Sequence, residues 1–177
     1  MTQHRSRLSR TLLAAGALAL VAGVTIGLSG CATGAAGGGG AASSSSAITA
    51  EVLGDLNAYA PNMARLGKTE ADLRARYEAV TGVNYKDDAT MLAAVQGMLP
   101  DMDAYIAELE AVAPTTTPVK DAHALCIAGW KKQREAFGVM AQALSEQSAD
   151  LVTQANALMT EANGLMSQYR AALAAIK

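Results

Sequence analysis

A histidine and a thiol stand three residues apart in the second half of this chain, and the chain's one tryptophan follows four residues later. Because residues three and four apart share one face of a helix, His123, Cys126 and Trp130 would line the same side. An imidazole beside a thiol can support nucleophilic attack or hold a metal ion. The three residues therefore form the candidate ligand pocket. Packing in a helical core is the competing interpretation, since free cysteine is often buried for packing alone.

The sequence does not supply the other groups that this chemistry needs. A cysteine nucleophile takes its base and an orienting group from separate elements, and zinc takes about four ligands. The chain has no Gly-x-Ser-x-Gly turn and no Gly-rich phosphate loop. Lys120 occupies the position where a Glu-x-x-His di-iron motif would place its carboxylate. We therefore expect no catalytic residue, no metal ligand, no cofactor and no enzymatic activity.

The other cysteine, Cys31, closes an N-terminal segment of a different composition. Arg5, Arg7 and Arg10 precede a run from Thr11 to Gly30 that carries no charge. A positive start, an apolar run and small residues before a cleavage point are the parts of a secretory signal peptide. The segment therefore indicates export.

Residues 28–31, which read Leu-Ser-Gly-Cys, resemble the lipobox of bacterial lipoproteins. The resemblance covers residues 1–31 and implies cleavage before Cys31, with acyl chains such as palmitate on its thiol. It also implies a lipid-anchored envelope protein that faces outward from the inner membrane. Because Ala32 follows the cysteine, the family's sorting preference allows the outer membrane in a cell that has one. An uncleaved membrane anchor is the alternative, because Thr11–Gly30 is long enough to span a bilayer.

These features divide the chain into three parts. Residues 1–30 are the signal peptide that is removed, and residues 31–47 are the lipidated cysteine and a disordered Gly/Ser linker. No side chain of this linker can build a core, so it is expected to act as a flexible tether between bilayer and domain. Residues 48–177 are the folded domain.

The charge of the mature chain limits its partners. Without the three signal-peptide arginines, eleven basic residues stand against 16 acidic ones, a formal net charge of −5. An acidic protein gains no counterion-release energy on nucleic acid, so we expect no nucleic-acid partner. It also lacks a polybasic patch for anionic lipids, so membrane attachment is assigned to the acyl chains on Cys31. With Cys31 lipidated, Cys126 is left without a disulfide partner.

From Ile48 onward the apolar residues recur at helical spacing, and no alternating strand pattern is present. Pro61 is expected to kink or restart the first helix, and Gly67 to end it. A capping box at Thr69 then starts a second helix that ends at Gly82. The first stripe consists of Ile48, Val52, Leu56, Tyr59, Met63 and Leu66. The outer face of the second helix is assigned two ion pairs, Glu70–Arg74 and Asp72–Arg76.

The rest of the domain also reads as helix. A stripe that starts after an N-cap at Asp88 continues through Pro100 and predicts one kinked helix. Residues 114–118, Pro-Thr-Thr-Thr-Pro, are the clearest break, with Pro118 suited to the first helical position. Residues 118–176 form either one helix or two, the second possibility having Ser148 as N-cap. The predicted fold is an all-α antiparallel bundle of three to four helices with a long C-terminal helix, preceded by the signal peptide and the tether.

The leading functional hypothesis is a lipid-anchored, non-enzymatic helical protein of the cell envelope that acts as a binding or scaffolding module for an envelope protein partner. The alternative is a carrier of a small apolar ligand or a metal within the bundle, near His123, Cys126 and Trp130. Self-association through the long C-terminal stripe is a further expectation, because sustained heptad patterns often pair.

Overall fold

The structure, a computed structural model, describes residues 48–176. The predictions for the signal peptide, for Cys31 and for the linker lie outside these residues. The described part of the chain folds into four helices and contains no strand, so the predicted all-α bundle is confirmed. The helices are α1 (Ala50–Glu78), α2 (Asp88–Glu110), α3 (Thr117–Glu146) and α4 (Ala149–Ala175), with a short 3-10 turn at Gly82–Asn84.

Ion pairs between successive helices show that these helices run antiparallel. In each pair of helices, residues with higher numbers on one helix contact residues with lower numbers on the other. Between α1 and α2 the pairs are Arg65–Glu108 at 2.5 Å and Arg76–Asp101 at 2.6 Å. Between α2 and α3 they are Lys131–Glu110 at 2.6 Å and Arg134–Asp103 at 2.8 Å. All of them are solvent-exposed, so each contributes at most about 1 kcal/mol.

Helix α1 is one continuous helix, so the predicted restart at Pro61 and the stop at Gly67 are wrong. Both residues are unfavourable in a helix interior, by about 3 kcal/mol for proline and about 1 kcal/mol for glycine. The helix also buries Tyr59, Leu66 and Leu73 along one face, and each such side chain contributes about 1.5–3 kcal/mol. Tertiary packing therefore outweighs the two local breaking signals.

Helix α2 runs through Pro100 as a single helix, as the sequence predicts. Its N-cap is Asp87 and not Asp88, because the Thr90 backbone N–H donates to Asp87 Oδ1 at 2.7 Å. Pro118 lies in the first turn of α3, where a missing N–H costs nothing.

The chain breaks between α3 and α4, which settles the open alternative for residues 118–176 in favour of two helices. Gln147 adopts a left-handed conformation with φ of 54°, and this conformation ends α3. The Ser148 N–H then donates to the Ala143 carbonyl at 3.1 Å. The Ser148 hydroxyl in turn accepts from the Leu151 N–H at 3.4 Å, which caps α4 as the sequence suggested.

The predicted apolar stripes meet in one core. Most members of the predicted C-terminal stripe are buried inside the chain's own bundle, namely Ala155, Leu158, Ala162 and Tyr169, while Leu165 and Ile176 are half-buried. Among the described residues, no helix is both long and apolar enough to cross a membrane. Helices α3 and α4 approach closely at Gly129, where an added Cβ would lie 2.8 Å from Met166 Sδ.

A buried carboxylate fastens the start of α1 to the α2–α3 connection. Asp55 accepts hydrogen bonds from the Thr116 N–H at 2.9 Å and its hydroxyl at 2.7 Å, and from the Thr115 N–H at 3.0 Å. Burial raises the pKa of Asp55, but these hydrogen bonds outweigh it and lower the pKa to about 2.

We expect Asp55→Ala to lower the free energy of unfolding by about 1.5–3 kcal/mol, because it removes several hydrogen bonds to one charge. The control, Asp72→Ala, removes an exposed carboxylate on the same helix and should cost less than about 1 kcal/mol. Urea unfolding measures both. The difference between wild type and Asp55→Ala should persist at neutral pH. It should shrink as pH falls from 3.8 towards about 2, because the folded state then loses its charge advantage.

A pair of glycine substitutions tests the α3–α4 contact. Gly129→Val should destabilise the domain by about 1–3 kcal/mol, because its side chain overpacks against Met166. Gly164→Ala meets no atom within 4 Å and should stabilise the domain by about 0.5–1 kcal/mol. Thermal unfolding measures the stability of both variants. A stabilising Gly129→Val together with a destabilising Gly164→Ala would contradict the assigned packing.

Candidate functional site

The three residues singled out by spacing do share one face of α3, and that face points into the bundle core. His123 is 4% exposed, Cys126 1% and Trp130 2%. Their chemistry is therefore set by neighbours from the other helices and not by solvent.

Both ring nitrogens of His123 are engaged. Nε2 lies 2.9 Å from the carbonyl oxygen of Leu109, and Nδ1 lies 3.0 Å from the hydroxyl of Tyr59. Because a carbonyl oxygen can only accept, Nε2 carries a hydrogen and donates it to Leu109. The Tyr59 hydroxyl is in turn 3.1 Å from the hydroxyl of Tyr169.

Burial sets the direction of this hydrogen-bond chain. It lowers the pKa of His123, although hydrogen bonds to the Leu109 and Val112 carbonyls act in the opposite direction. The imidazole is therefore neutral, and Nδ1 accepts from Tyr59 while Tyr169 donates to Tyr59. The chain runs from α4 through α1 and α3 to α2, so one series of hydrogen bonds links all four helices.

The Cys126 thiol is buried beside this chain. Burial, assisted by the charge of Glu70, raises its pKa to about 12, so the thiol stays neutral. Since the nitrogens of His123 are bonded to Tyr59 and Leu109, neither is free to take a proton from Cys126. The two side chains act as packing and hydrogen-bonding groups of the core in this arrangement.

A carboxylate and two aromatic rings continue the polar interior. The Trp130 and Tyr105 rings pack with centroids 4.4 Å apart, and Tyr105 is close enough to Glu70 to influence its pKa. Burial raises the pKa of Glu70, although the charges of Arg74 and Arg170 and the Tyr105 hydrogen bond act to lower it. Its predicted ion pair with Arg74 is present, with Oε1 and Nη2 3.6 Å apart.

The predicted position of Glu70 on an outer face is wrong, because the residue is only 8% exposed. The i,i+4 partner suggested a solvent-exposed pair. A signal in the opposite direction was available, since Leu66, Glu70, Leu73 and Tyr77 are spaced by four, three and four residues. The spacing of Glu70 from these buried residues could therefore have indicated a buried position for its carboxylate.

Sequence reasoning also missed the tyrosines as functional partners of His123. Tyr59 lies on the first predicted apolar stripe, and both Tyr59 and Tyr169 are buried. A buried tyrosine hydroxyl usually needs a partner, so these two tyrosines could have indicated a polar network with His123. Which hydroxyl meets which ring depends on the axial register of the helices, and spacing alone does not give it.

No family model, curated protein or solved structure matches this chain. Across residues 48–176, no group of three or more His, Cys, Asp or Glu side chains is arranged to hold a metal ion. The arrangement can orient a proton along a fixed hydrogen-bond chain, and it presents polar groups inside an apolar bundle.

Two conservative substitutions test the order of the chain. Tyr59→Phe leaves both His123 Nδ1 and the Tyr169 hydroxyl without their partner, so we expect a loss of about 1.5–3 kcal/mol in unfolding free energy. Tyr169→Phe removes only one donor to Tyr59 and should cost about 0.5–1.5 kcal/mol. Urea unfolding of the two variants provides the comparison. Equal losses would contradict a chain in which Tyr59 is the shared member.

Proposed function

We propose that this chain is a lipid-anchored, non-enzymatic protein of the bacterial cell envelope whose helical domain binds or scaffolds a partner protein. The observation that carries the proposal is the uncharged run from Thr11 to Gly30 that ends in Leu-Ser-Gly-Cys at residues 28–31. Acyl chains on Cys31 would hold the mature chain on the membrane, facing outward from the inner membrane or on the outer membrane of a cell that has one.

The shape of the domain suits attachment at one end. Helix α1 starts at Ala50, and only Ile48 and Thr49 separate it from the assigned linker at residues 31–47, so the N-terminal end of the bundle would face the bilayer. In an antiparallel bundle, the α1–α2 and α3–α4 turns then lie at the remote end. Val83, in the first of these turns, is fully exposed at 101%. The remote end is therefore the surface that we assign to an envelope protein partner.

The state of the core supports a non-enzymatic role. The thiol of Cys126 has a pKa raised to about 12, and His123 has its nitrogens bonded to Tyr59 and Leu109. A nucleophile needs a lowered pKa or a free adjacent base, and this pair has neither. A role in binding requires neither a reactive thiol nor a free base.

Self-association stays a prediction, but through a different surface from the one expected. Most of the expected stripe on α4 is buried in the bundle, with Ala155, Ala162 and Tyr169 at 0%, 1% and 3% exposure, while its members Leu165 and Ile176 are half-buried. A second copy would therefore meet an outer face or the remote end of the bundle.

The two cysteines provide a matched test of the lipid anchor. Cells that express the full chain and take up radiolabelled palmitate should label wild type and Cys126→Ala, but not Cys31→Ala. The substitution at Cys126 removes a buried thiol and leaves the signal intact, so it controls for a general effect of losing a cysteine. Globomycin, which blocks the lipoprotein signal peptidase, should retain the longer precursor.

Label on Cys31→Ala, or maturation that globomycin leaves unchanged, would contradict the anchor. The binding role is then addressed by crosslinking in cells. Wild type should recover an envelope protein that Val83→Asp loses. A recovered set that is the same for both would exclude the remote end as the contact surface.

A further inference from the structure

Several polar atoms in the bundle interior have no hydrogen-bond partner among the residues that the structure describes. They are Glu70 Oε1, Arg74 Nε, the Tyr77 hydroxyl, Trp130 Nε1 and Gln133 Nε2. Apart from Arg74, each belongs to a residue that is at least nine-tenths buried. Buried polar groups without a hydrogen-bond partner are costly and rare in folded proteins. Glu70 Oε1 lies 3.6 Å from Arg74 Nη2 in an ion pair, so the other four atoms, which lie on α1 and α3, are the ones that lack any partner within residues 48–176.

Two ring contacts show which part of α1 lies at the same height in the bundle as which part of α3. At one level the Tyr105 ring packs on Trp130, with centroids 4.4 Å apart, and Tyr105 is close enough to Glu70 to influence its pKa. Two turns later the Tyr77 ring packs on Phe137, with centroids 5.0 Å apart. Glu70 to Tyr77 and Trp130 to Phe137 are both seven residues. The two helices run in the same direction, so these segments flank one stretch of the interior about 10 Å long.

The remaining two groups lie between those levels. Gln133 follows Trp130 by three residues on α3, and Arg74 follows Glu70 by four on α1. The Arg74 side chain is 27% exposed while its Nε is buried, so it extends from the interior to the surface. Arg74 therefore marks the route by which a small molecule would enter.

The unpaired groups are mostly donors. Arg74, Trp130 and Gln133 each offer an N–H, the Tyr77 hydroxyl can donate or accept, and Glu70 accepts. Two arginines, Arg74 and Arg170, act on the single Glu70 carboxylate, so the local charge is positive when that carboxylate is ionised. A guest that accepts hydrogen bonds and carries negative charge fits this set, and the aromatic rings suit its carbon skeleton.

We propose that the interior between α1 and α3 binds a small organic carboxylate, whose oxygens accept hydrogen bonds from Gln133, Trp130 and Arg74. This ligand differs from the apolar molecule or metal that the alternative hypothesis from the sequence named. The proposal goes beyond the lipid-anchoring function and does not depend on it, since acylation at Cys31 and occupancy of the core are measured separately.

The chain's one tryptophan gives a direct readout. The full chain in detergent micelles, labelled with 15N at tryptophan, should give a single indole signal from Trp130. Sodium acetate and sodium benzoate are titrated at constant ionic strength. We expect a saturable downfield movement of the indole proton with at least one of them, because the N–H gains an acceptor.

Matched glutamine variants on α3 supply the control. Gln133→Leu should weaken the apparent affinity about tenfold or more. Gln142→Leu removes an exposed amide that donates to Glu146 at 2.9 Å, and it should leave the affinity unchanged. Circular dichroism checks that each variant stays helical. If Gln133→Leu does not fold, Arg74→Gln replaces it, since that side chain is partly exposed.

Three results would overturn the proposal. One is an indole signal whose chemical shift neither carboxylate changes. This includes the case in which a persistent cross peak shows that bound water already occupies the indole N–H. Another is a movement that sodium chloride reproduces. The third is an unchanged affinity in a folded Gln133→Leu or Arg74→Gln variant. None of these results bears on palmitate labelling of Cys31.

Discussion

The Tyr59 hydroxyl is the group on which the rest of the bundle depends, because it joins hydrogen bonds from separate helices in the core. It donates to His123 and accepts from Tyr169, and His123 passes the series on to Leu109. Each member belongs to a different helix. A shift of any helix by one residue would rotate its member about 100° away from the chain and leave buried polar groups unpaired. A fully satisfied buried network of this kind specifies one register of the four helices.

Burial in the bundle core also sets the protonation of the residue types that the sequence singled out. Low polarity around Cys126 disfavours its thiolate, and the same environment disfavours the charged form of His123. Both shifts arise from burial and both keep the groups neutral. The combination that resembled a nucleophile with its base in the sequence is therefore a pair of uncharged core residues in the fold. Their location, and not their spacing along the helix, decides their chemistry.

Hydrophobic spacing predicted the helical class and most of the core, because the burial of an amphipathic face is a local property of sequence. The stripes through Val119 and Trp130 on α3 and through Met98 and Met102 on α2 are all buried. Local breaking signals predicted less well. Pro61 and Gly67 lie inside one helix, since the packing of α1 on its neighbours exceeds their local cost.

The burial of Glu70 depended on distant parts of the chain. Glu70 has an i,i+4 partner that is typical of a solvent-exposed face, yet it is buried, and Tyr105 from α2 and Arg170 from α4 influence its pKa. The cap at Ser148 was offered by the sequence, but the left-handed conformation of the non-glycine residue Gln147 is one that sequence patterns do not favour. The candidate residues His123, Cys126 and Trp130 were placed on the right face, while their partners Tyr59, Tyr169 and Leu109 emerged only from the register of the helices.

The Asp55 contact would have a mechanical consequence if the domain were pulled from its N-terminal end. Tension applied along the preceding segment would enter α1 at Ala50 and would tend to unwind its first turns. Five residues further on, Asp55 is bonded to Thr115 and Thr116 at the base of α3. The load would therefore pass sideways into the α2–α3 connection before it reached the hydrogen-bond chain at Tyr59. Pulling would strain the several hydrogen bonds of Asp55 at the same time and not one after another. The contact would therefore spread the force and protect the hydrogen-bond chain at the centre of the bundle.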